Sequence, residues 1–586
     1  MNAGPFDIEL RLAKATLREG KVDEAELMYR GILDEQPDCA EALHFLGVAA
    51  LEKGRLDEAL RLMKQSLKLE PHRREFHNNL STVLGQMNRT AEALESAEQA
   101  IRIKGESAEA WNNKGFALGR LGRMDEAIEA YRRSIELRPK YLPAITNLGA
   151  AFSRVGRHDQ AVDLLSHVVR RMPRNAQAHT KLATAFRLAG SMYEAVDAYR
   201  AATELTPRDP NLLNDLGGAL QETGNPAGAE AALRRCLSIK PDHPDGHWNL
   251  GLALLTQGRW REGWPQYEWR RKLRFDQGEQ GRFTQPTWDG TPVNGKTILV
   301  TSEQGLGDTI QFIRYAPLLK QRGAKVVMEC QAQLRPLLQS VQDVDGYVAR
   351  GETLPKFDLH VRLMTLPYLL GSTPANIPCS VPYLRVDERL TARFAKLLQK
   401  VKGFRVGIVW QGNRAHHADR FRSMPLPLLA PLSRIEGVRL ISLQKGPGID
   451  QIPGNRAALK LIEWANPQDI SPRAWIDTAA MLRALDLVIG VDTAVCHVAG
   501  ALAVPVWTML SVGSDWRWML DRQDTPWYPT MRLFRQKKLG RWEDVVETVT
   551  TALRELAASR TPFSPIALPK KPVQMIGLAP RSQSRL

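Results

Sequence analysis

The chain has 586 residues, 43% hydrophobic and 25% charged, which is the composition of a soluble protein with three or more domains. Its net charge of +16 is spread along the sequence, because Lys and Arg alternate with Asp and Glu nearly everywhere. The sequence contains neither a concentrated basic stripe nor a recognition-helix, zinc-finger or RNA-binding signature, so we expect no nucleic-acid partner.

The first residues, MNAGPFDIELRLAK, contain no apolar signal-peptide core. A run of about 18 apolar residues, which a membrane span would need, does not occur in the sequence. The cysteines are scattered and form no CxxC pair, as is typical of free thiols in a reducing compartment. We therefore predict a cytoplasmic protein. The cysteines are Cys39, Cys236, Cys330, Cys379 and Cys496.

Residues 1–275 repeat with a period of 34 residues. In most units a turn glycine is followed by a small alanine and then by a proline, as in Gly122, Ala127 and Pro139. The glycine ends a first helix, the alanine lets a second helix approach it, and the proline ends that second helix. In one unit Asn88 takes the place of the turn glycine, since Asn also tolerates a left-handed helix end.

This pattern resembles the tetratricopeptide repeat, and it predicts an α-solenoid of seven full repeats and a truncated eighth. The first helix of each unit is expected to line the concave face of a superhelix, on which a protein or peptide partner would bind. One position on that helix is Asn or Asp in five of the eight units. Its carboxamides form a candidate acceptor-peptide site that resembles the asparagine ladder of O-linked N-acetylglucosamine transferases. Alternatively, each side chain bonds to the neighbouring repeat or faces water. The ladder comprises Asn79, Asn113, Asn147, Asp215 and Asn249.

Residues 276–295 are rich in Gly, Pro and polar residues and are predicted to be a linker, which Trp288 could pin against the repeats. Residues 296–385 then alternate strands with helices, which predicts a parallel, doubly wound sheet. Its first strand, Ile298 to Val300, runs into the glycine loop of residues 303–308 and a helix expected to start near Thr309 and end at Arg322. A second strand is predicted from Lys325 to Cys330. A strand that ends in glycines before a helix predicts an anion-binding site.

The glycine loop is neither a dinucleotide fingerprint, which would need Gly at Ile310, nor a phosphate loop with GK[ST]. It places Asp308 at the mouth of the helix, where the carboxylate is either an N-cap or a general base. The DxD spacing of Asp343 and Asp345 is interpreted as a turn between a helix and a strand.

Residues 386–555 predict a second doubly wound half, whose strands at residues 405–410, 438–443 and 487–491 end in polar loops. The loops supply Arg422, Lys445 and the helix start at Asp492-Thr493, which together suit a diphosphate. Each residue also has a simpler interpretation: Arg422 pairs with Asp419, Asp492 and Thr493 cap a helix, and His497 is a core residue.

Three segments carry a resemblance to heptosyltransferase-like sugar transferases, glycosyltransferase family 9: EQGLGDTIQFIRY, VGIVWQGN…DRFRSMPL and DLVIGVDTAVCHVAGALAVPVW. The tail DWRWMLDRQDTPWYPTMRLFRQ fits the same group, and the chain as a whole resembles bacterial proteins that join tetratricopeptide repeats to such a domain. The resemblance implies a GT-B fold of two Rossmann-like halves, with a donor cleft between them, no obligatory metal and no cofactor. Asp308 would be the base, and Arg422 stands where lipopolysaccharide heptosyltransferases usually carry Lys.

We therefore predict an inverting glycosyltransferase that uses a nucleotide-diphosphate sugar, with the repeats recruiting a protein or surface glycan. The alternative is a non-catalytic adaptor whose α/β part is structural or senses a nucleotide sugar. Residues 556–586 are predicted to be a basic, disordered tail. The predicted donor-binding residues are Gln304, Gly305, Gly307, Gln411, Asn413, Arg422, Gln444, Lys445, Asp492, Thr493, Ala494 and His497.

Overall fold

A computed structural model describes residues 6–273, 281–416, 418–463 and 473–559. The chain forms two compact units, Met1–Pro207 and Arg208–Leu586. The division falls inside the repeat region, so the last two helical pairs belong to the same unit as the two sheets. The domain limits predicted at residues 275, 295 and 385 stay predictions.

The first unit consists of antiparallel helical pairs in which small residues allow close packing. A Cβ on Gly149 would lie 2.7 Å from Leu165 Cγ on the partner helix, so the glycine sets the helix spacing. Between paired helices, the turn residue has a left-handed backbone, with φ +80° at Gly20 and +63° at Asn88. This confirms the role predicted for Asn88. Helices α1 to α12 are Asp7–Arg18, Val22–Glu35, Ala40–Glu52, Leu56–Leu69, Arg74–Gln86, Thr90–Ile103, Ala108–Arg120, Met124–Leu137, Leu142–Arg154, His158–Arg171, Ala176–Ala189 and Met192–Leu205.

The second unit opens with two more helical pairs. The last helix is shortened to eight residues and runs into a 3-10 turn, Glu268–Lys272. Helices α13 to α16 are Pro210–Glu222, Pro226–Ile239, Pro244–Thr256 and Trp260–Tyr267.

The first sheet has four parallel strands in the order β3-β2-β1-β4. Its buried face shares one hydrophobic core with α16 and with the nearest helices of the second sheet. The strands β1 to β4 are Thr297–Thr301, Lys325–Cys330, Gly346–Ala349 and Leu359–Arg362. The helices α17 to α20 are Leu306–Phe312, Ala316–Gln321, Arg335–Leu338 and Leu366–Leu369.

The second sheet has six parallel strands in the order β10-β9-β8-β5-β6-β7. Two parallel sheets with helical connections are consistent with the halves of a GT-B fold. The strands β5 to β10 are Phe404–Val409, Val438–Ser442, Ile462–Glu463, Leu487–Val491, Val506–Leu510 and Met531–Arg535. The helices α21 to α27 are Glu388–Leu398, Asp419–Arg422, Ala430–Ser433, Ile452–Leu459, Ala474–Arg483, Ala494–Ala501 and Glu543–Ser559.

Several predicted elements differ from the structure in detail. The helix expected to start near Thr309 begins at Leu306, and the predicted continuous helix to Arg322 breaks into α17, a 3-10 turn and α18. Pro317 stands near the start of α18, where its missing N–H costs no intrahelical bond. Helix α27 continues to Ser559, beyond the predicted limit at 555, because Leu and Ala favour helix.

Part of the predicted linker is ordered. Trp288 is buried, and its backbone N–H donates to the His360 carbonyl on β4 (2.8 Å), so this tryptophan is anchored on the first sheet. The linker residues 274–280 and the tail residues 560–586 lie outside the described residues. None of the helices in the described ranges combines the length and the apolar character that crossing a bilayer requires.

Candidate functional site

The glycine loop leads from the end of β1 into α17, and it places Asp308 in the first turn of that helix. Asp308 Oδ2 accepts a hydrogen bond from the Gly305 N–H (2.8 Å), so the carboxylate does cap the helix. The loop bends sharply at Gln304, where φ is +60°. One of the N–H groups predicted to bind an anion is therefore already occupied by Asp308.

The other oxygen of Asp308 faces an arginine that the sequence analysis did not single out. Arg517 Nη2 donates to Asp308 Oδ1 (2.5 Å), and Arg517 Nη1 lies 2.8 Å from Asp515 Oδ2. The Arg517 side chain is 8% exposed, and among the described atoms its Nε–H finds no hydrogen-bond partner. Burial opposes the charge of Arg517, but Asp515, Asp308 and Asp492 outweigh it and raise the pKa.

Arg517 belongs to a 3-10 turn, Trp516–Trp518, in the loop that follows β9. The ring centroids of Phe312 and Trp516 lie 5.8 Å and 5.1 Å from its guanidinium carbon, so both rings make cation–π contacts with it. The signal that could have found it is local: an arginine between two tryptophans, shortly after the carboxyl end of a buried strand. Such an arginine is too costly to bury without acidic partners.

Asp492 and His497 lie at the start of α26, directly after β8. The Trp518 indole N–H donates to Asp492 Oδ2 (2.8 Å), and His497 Nε2 lies 3.7 Å from Asp492 Oδ1. Burial disfavours the charged form of Asp492, yet the adjacent His497, the charge of Arg517 and the hydrogen bond from Trp518 hold its pKa below the usual range.

Both ring nitrogens of His497 have partners. Nδ1 lies 3.0 Å from the Tyr528 hydroxyl, Nε2 faces Asp492, and the ring stacks on Trp518. Thr493 is the N-cap residue of α26, although its hydroxyl makes no capping bond, and Ala494 follows as the first helical residue.

Gly307 lies where the first half of the α/β part contacts helix α26 of the second half. A Cβ at Gly307 would lie 2.9 Å from His497 Cδ2 and 3.7 Å from Ala494 Cα, so only glycine permits this approach without displacing the ring. The structure thus joins Asp308, Arg517, Asp492 and His497 into one group, which we call the carboxylate–arginine cluster.

The remaining predicted donor-binding residues lie at the neighbouring ends of β5 and β6. The Gln444 side chain is buried and links the loops: its Oε1 accepts from the N–H groups of Trp410 and Gln411 (3.1 Å each), and its Nε2 donates to the Gln411 carbonyl (2.9 Å). Lys445 Nζ donates to the Ala474 carbonyl at 3.2 Å.

Arg422 makes the pairing that was the simpler of its two interpretations. Its Nε lies 3.2 Å from Asp419 Oδ1, and its guanidinium covers Gly412. Asn413 is exposed in the same loop, where its Oδ1 accepts from the Ala415 N–H (3.0 Å). A bound diphosphate would therefore have to compete with Asp419 for this arginine.

The asparagine ladder makes hydrogen bonds to the preceding repeat in the structure. Asn113 Nδ2 donates to Asn78 Oδ1 (3.0 Å), Asn147 Nδ2 to Asn112 Oδ1 (2.9 Å) and Asn249 Nδ2 to Asn214 Oδ1 (2.9 Å). Asn79 Nδ2 lies 2.9 Å from His44 Nε2, whereas Asp215 is exposed. The alternative interpretation, a bond between repeats, describes these four asparagines.

Comparison with known proteins identifies the repeats. Tetratricopeptide-repeat profiles match residues 10–73, 50–115, 108–141, 146–210 and 214–263. Protein FlbA of Caulobacter vibrioides is 30% identical over 327 residues, covering 52% of this chain and 54% of FlbA. The chain thus spans about half the length of that curated relative.

Three solved structures are partly similar to this chain. A chain in the structure of the APC/C heterotetramer Cut9-Hcn1 is 18% identical, and the match covers 42% of this chain and 49% of that chain, with a TM-score of 0.39. The Thermus thermophilus protein TTC0263 is 22% identical, and the match covers 31% of this chain and 99% of TTC0263, with a TM-score of 0.29. YrrB, described as a tetratricopeptide-repeat protein with an unusual peptide-binding site, is 17% identical. The match covers 31% of this chain and 95% of YrrB, with a TM-score of 0.26.

Proposed function

We propose that the protein is a glycosyltransferase that moves a sugar from a nucleotide-diphosphate sugar to a hydroxyl of an acceptor recruited by the repeats. The observation that carries the proposal is the carboxylate–arginine cluster, which brings the glycine loop of one half against the start of α26 in the other. Ligands of parallel α/β sheets bind at the carboxyl ends of strands, where this cluster lies. Tetratricopeptide repeats typically bind peptides, which supports the recruiting role.

In the proposed reaction Asp308 is the general base. Arg517 and the Gly305 N–H each use one lone pair of the carboxylate, which leaves further lone pairs for an acceptor hydroxyl. The acceptor proton passes to Asp308 as the acceptor oxygen bonds to the anomeric carbon. The bond from that carbon to the phosphate oxygen breaks, and its electron pair leaves with the nucleoside diphosphate.

The leaving diphosphate would be stabilised by Arg422, by Lys445 and by the free N–H groups at the start of α26. Arg422 can turn from Asp419 to the diphosphate, because a bidentate contact with phosphate is stronger than the single 3.2 Å contact it now makes. Together with Asp515, which pairs with Arg517, the cluster has three carboxylates, against Arg517 and, when it is protonated, His497. It therefore favours the positive charge that develops on the sugar ring.

A second function is favoured by a different observation. The Arg422 guanidinium, the Gln444 amide and both nitrogens of His497 already have partners within the protein. A site with its polar groups satisfied in this way would suit an adaptor whose α/β part is structural. The two functions differ in whether Asp308 takes a proton from an acceptor hydroxyl.

The test is sugar transfer by the purified chain, followed as release of nucleoside diphosphate from a panel of nucleotide sugars. We expect Asp308→Asn to lower the rate by roughly 10²–10⁴-fold, as loss of a positioned base does. The control is Asp387→Asn, since Asp387 also caps a helix, accepting from the Arg389 N–H (2.8 Å), but lies outside the site. Near-full activity of Asp308→Asn would exclude the proposed base, and no release from any donor would favour the adaptor.

A further inference from the structure

The end of the repeat array is built differently from the other repeats. Residues 260–272, which we call the terminal segment, comprise α16 and the 3-10 turn after it. Trp260, Trp264 and Tyr267 of α16 are at most 2% exposed. In a solenoid such a face would cover the next repeat. Here it packs on the α/β part of the same unit.

The aromatic contacts of the terminal segment reach the turn that carries Arg517. The Trp264 ring lies 5.2 Å from that of Trp516, edge to face, and the Trp260 ring stacks at 5.4 Å on Trp527. The Trp264 indole N–H donates to the Ser372 carbonyl (2.9 Å). The turn that holds Arg517 therefore rests on the last helix of the array.

The terminal segment also holds the glycine loop, through a buried ion pair. Arg270 is 0% exposed, and its Nη2 and Nε lie 2.9 Å and 3.2 Å from the two oxygens of Glu303. Arg270 also contacts Glu268, and it donates to the Thr365 hydroxyl (2.8 Å). Burial opposes its charge, but Glu303 and Glu268 outweigh it and raise the pKa of Arg270.

Glu303 and Gln304 open the loop that ends in Asp308. Glu303 Oε1 also accepts from the Met364 N–H (3.0 Å), and Gln304 Nε2 donates to the Tyr267 hydroxyl (3.2 Å). Two successive loop residues are thus tied to the array, just where the backbone turns into the left-handed region. Both partners of the Asp308–Arg517 ion pair are consequently supported by one short stretch of the array.

We propose that Arg270 is a positioning residue of the candidate active site, which through Glu303 fixes the glycine loop so that Asp308 stays aligned with Arg517. The proposal depends on the proposed function only in treating this site as catalytic. The eighth repeat then serves the α/β part as a support, and the partner-binding surface lies on the earlier repeats.

The experiment is hydrogen–deuterium exchange of the full chain, comparing Arg270→Met with the wild type. We expect the amides of residues 302–309 to exchange at least tenfold faster in the variant, while those of β5, β6 and β8 keep their wild-type rates. The matched control is Arg405→Met, because Arg405 forms a similar two-point pair with Asp486 (2.9 Å and 3.0 Å) in the second sheet. This control should leave the glycine loop unchanged.

A second variant keeps the test decisive if Arg270→Met does not fold. Arg270→Lys retains the charge but cannot match both carboxylate oxygens, so its loop exchange should lie between wild type and the Met variant. Wild-type exchange in residues 302–309 of the folded variants would overturn the proposal. Equal acceleration in Arg405→Met would also overturn it, since the effect would then be general destabilisation.

Kinetics separate this inference from the proposed function. Once a donor is identified, Arg270→Lys should lower kcat by roughly 10- to 100-fold with the donor KM nearly unchanged, since misplacing a base affects the reacting geometry. An unchanged kcat would contradict the positioning role. Failure to find any donor would overturn the proposed function, yet it would leave the exchange pattern as predicted here.

Discussion

Arg517 shows how much of the site depends on one buried charge. Its guanidinium neutralises Asp308 and Asp515, and its field reaches Asp492, although each of these groups comes from a different loop or helix start. Removing the arginine would leave carboxylates in a poorly solvated site. Breaking a buried pair on one side is costly because the remaining charge keeps its desolvation penalty.

We expect Arg517→Gln to lower the free energy of unfolding of the second unit by roughly 3 kcal/mol, as for other buried pairs that lose one partner. The measurement is urea unfolding followed by tryptophan fluorescence. Arg522→Gln is the control, since Arg522 pairs with Asp524 at 2.7 Å but both side chains are about a third exposed. Its cost should stay below about 1 kcal/mol. If both variants unfolded at the same urea concentration, the larger cost assigned to breaking the buried Arg517 pair would be wrong.

At this scale the sequence predicted some residues of the site and missed others. Asp308 and the helix start at Asp492 were found because glycine loops and strand ends have local signatures. Arg517, Trp518 and Tyr528 were missed as site residues because their importance comes from contacts across more than 25 residues of sequence with Asp308, Asp492 and His497. The local pattern of an arginine between two tryptophans can mark a candidate residue, but it does not show which distant residues that arginine contacts.

Among the elements, the approach of the glycine loop to α26 is the contact on which the site depends most. Gly307 faces the His497 ring so closely that any side chain there must push the loop away. The two halves of the α/β part would then separate at the point where Arg517 pairs with Asp308. The element contact therefore controls the residue geometry described above.

Gly307→Ala is expected to destabilise the second unit by roughly 1–3 kcal/mol through overpacking, and to weaken any nucleotide binding found by titration calorimetry. Gly454→Ala is the control, because Gly454 lies in α24 and a Cβ there would meet nothing within 4 Å. That control should be neutral or slightly stabilising, since alanine favours helix. A stable Gly307→Ala protein with wild-type binding would show that the loop tolerates displacement.

The sequence predicted buried strands better than helices. β2 and β8 were predicted with their observed limits, because continuous apolar runs bounded by polar residues are unambiguous. The short strand β7 was missed, since two residues carry no period. The predicted long helix after the glycine loop failed, because the pattern continues through a 3-10 turn and Pro317.

At the scale of the whole molecule, the compact units do not follow the visible boundary between repeats and sheets. The second unit contains the last helical pairs, and its core joins Trp260 and Trp264 to Phe312 and Trp527. The periodicity of the sequence cannot reveal this, because the last repeats keep the same spacing as the others.

Trp264→Ala should therefore weaken the sheets as well as the repeat in which it lies. Replacing a fully buried tryptophan by alanine costs roughly 3–5 kcal/mol. We expect faster hydrogen exchange throughout β1, β8 and α15, whereas α1 to α8 keep their protection. Trp111→Ala, in the first unit, should instead speed exchange in the early helices and leave β1, β8 and α15 protected. Loss of protection confined to α15 and α16 would contradict a shared core.

The position of this division also limits how the protein can change its length. Whole 34-residue units ahead of Pro207 can be duplicated or deleted with the frame preserved, since each meets only its neighbours. After that point a duplication would separate Gly224 from Val512 and Glu222 from Gly513, which are now in direct contact. Related proteins should accordingly vary in the number of their early repeats, while the last two pairs are inherited together with the sheets.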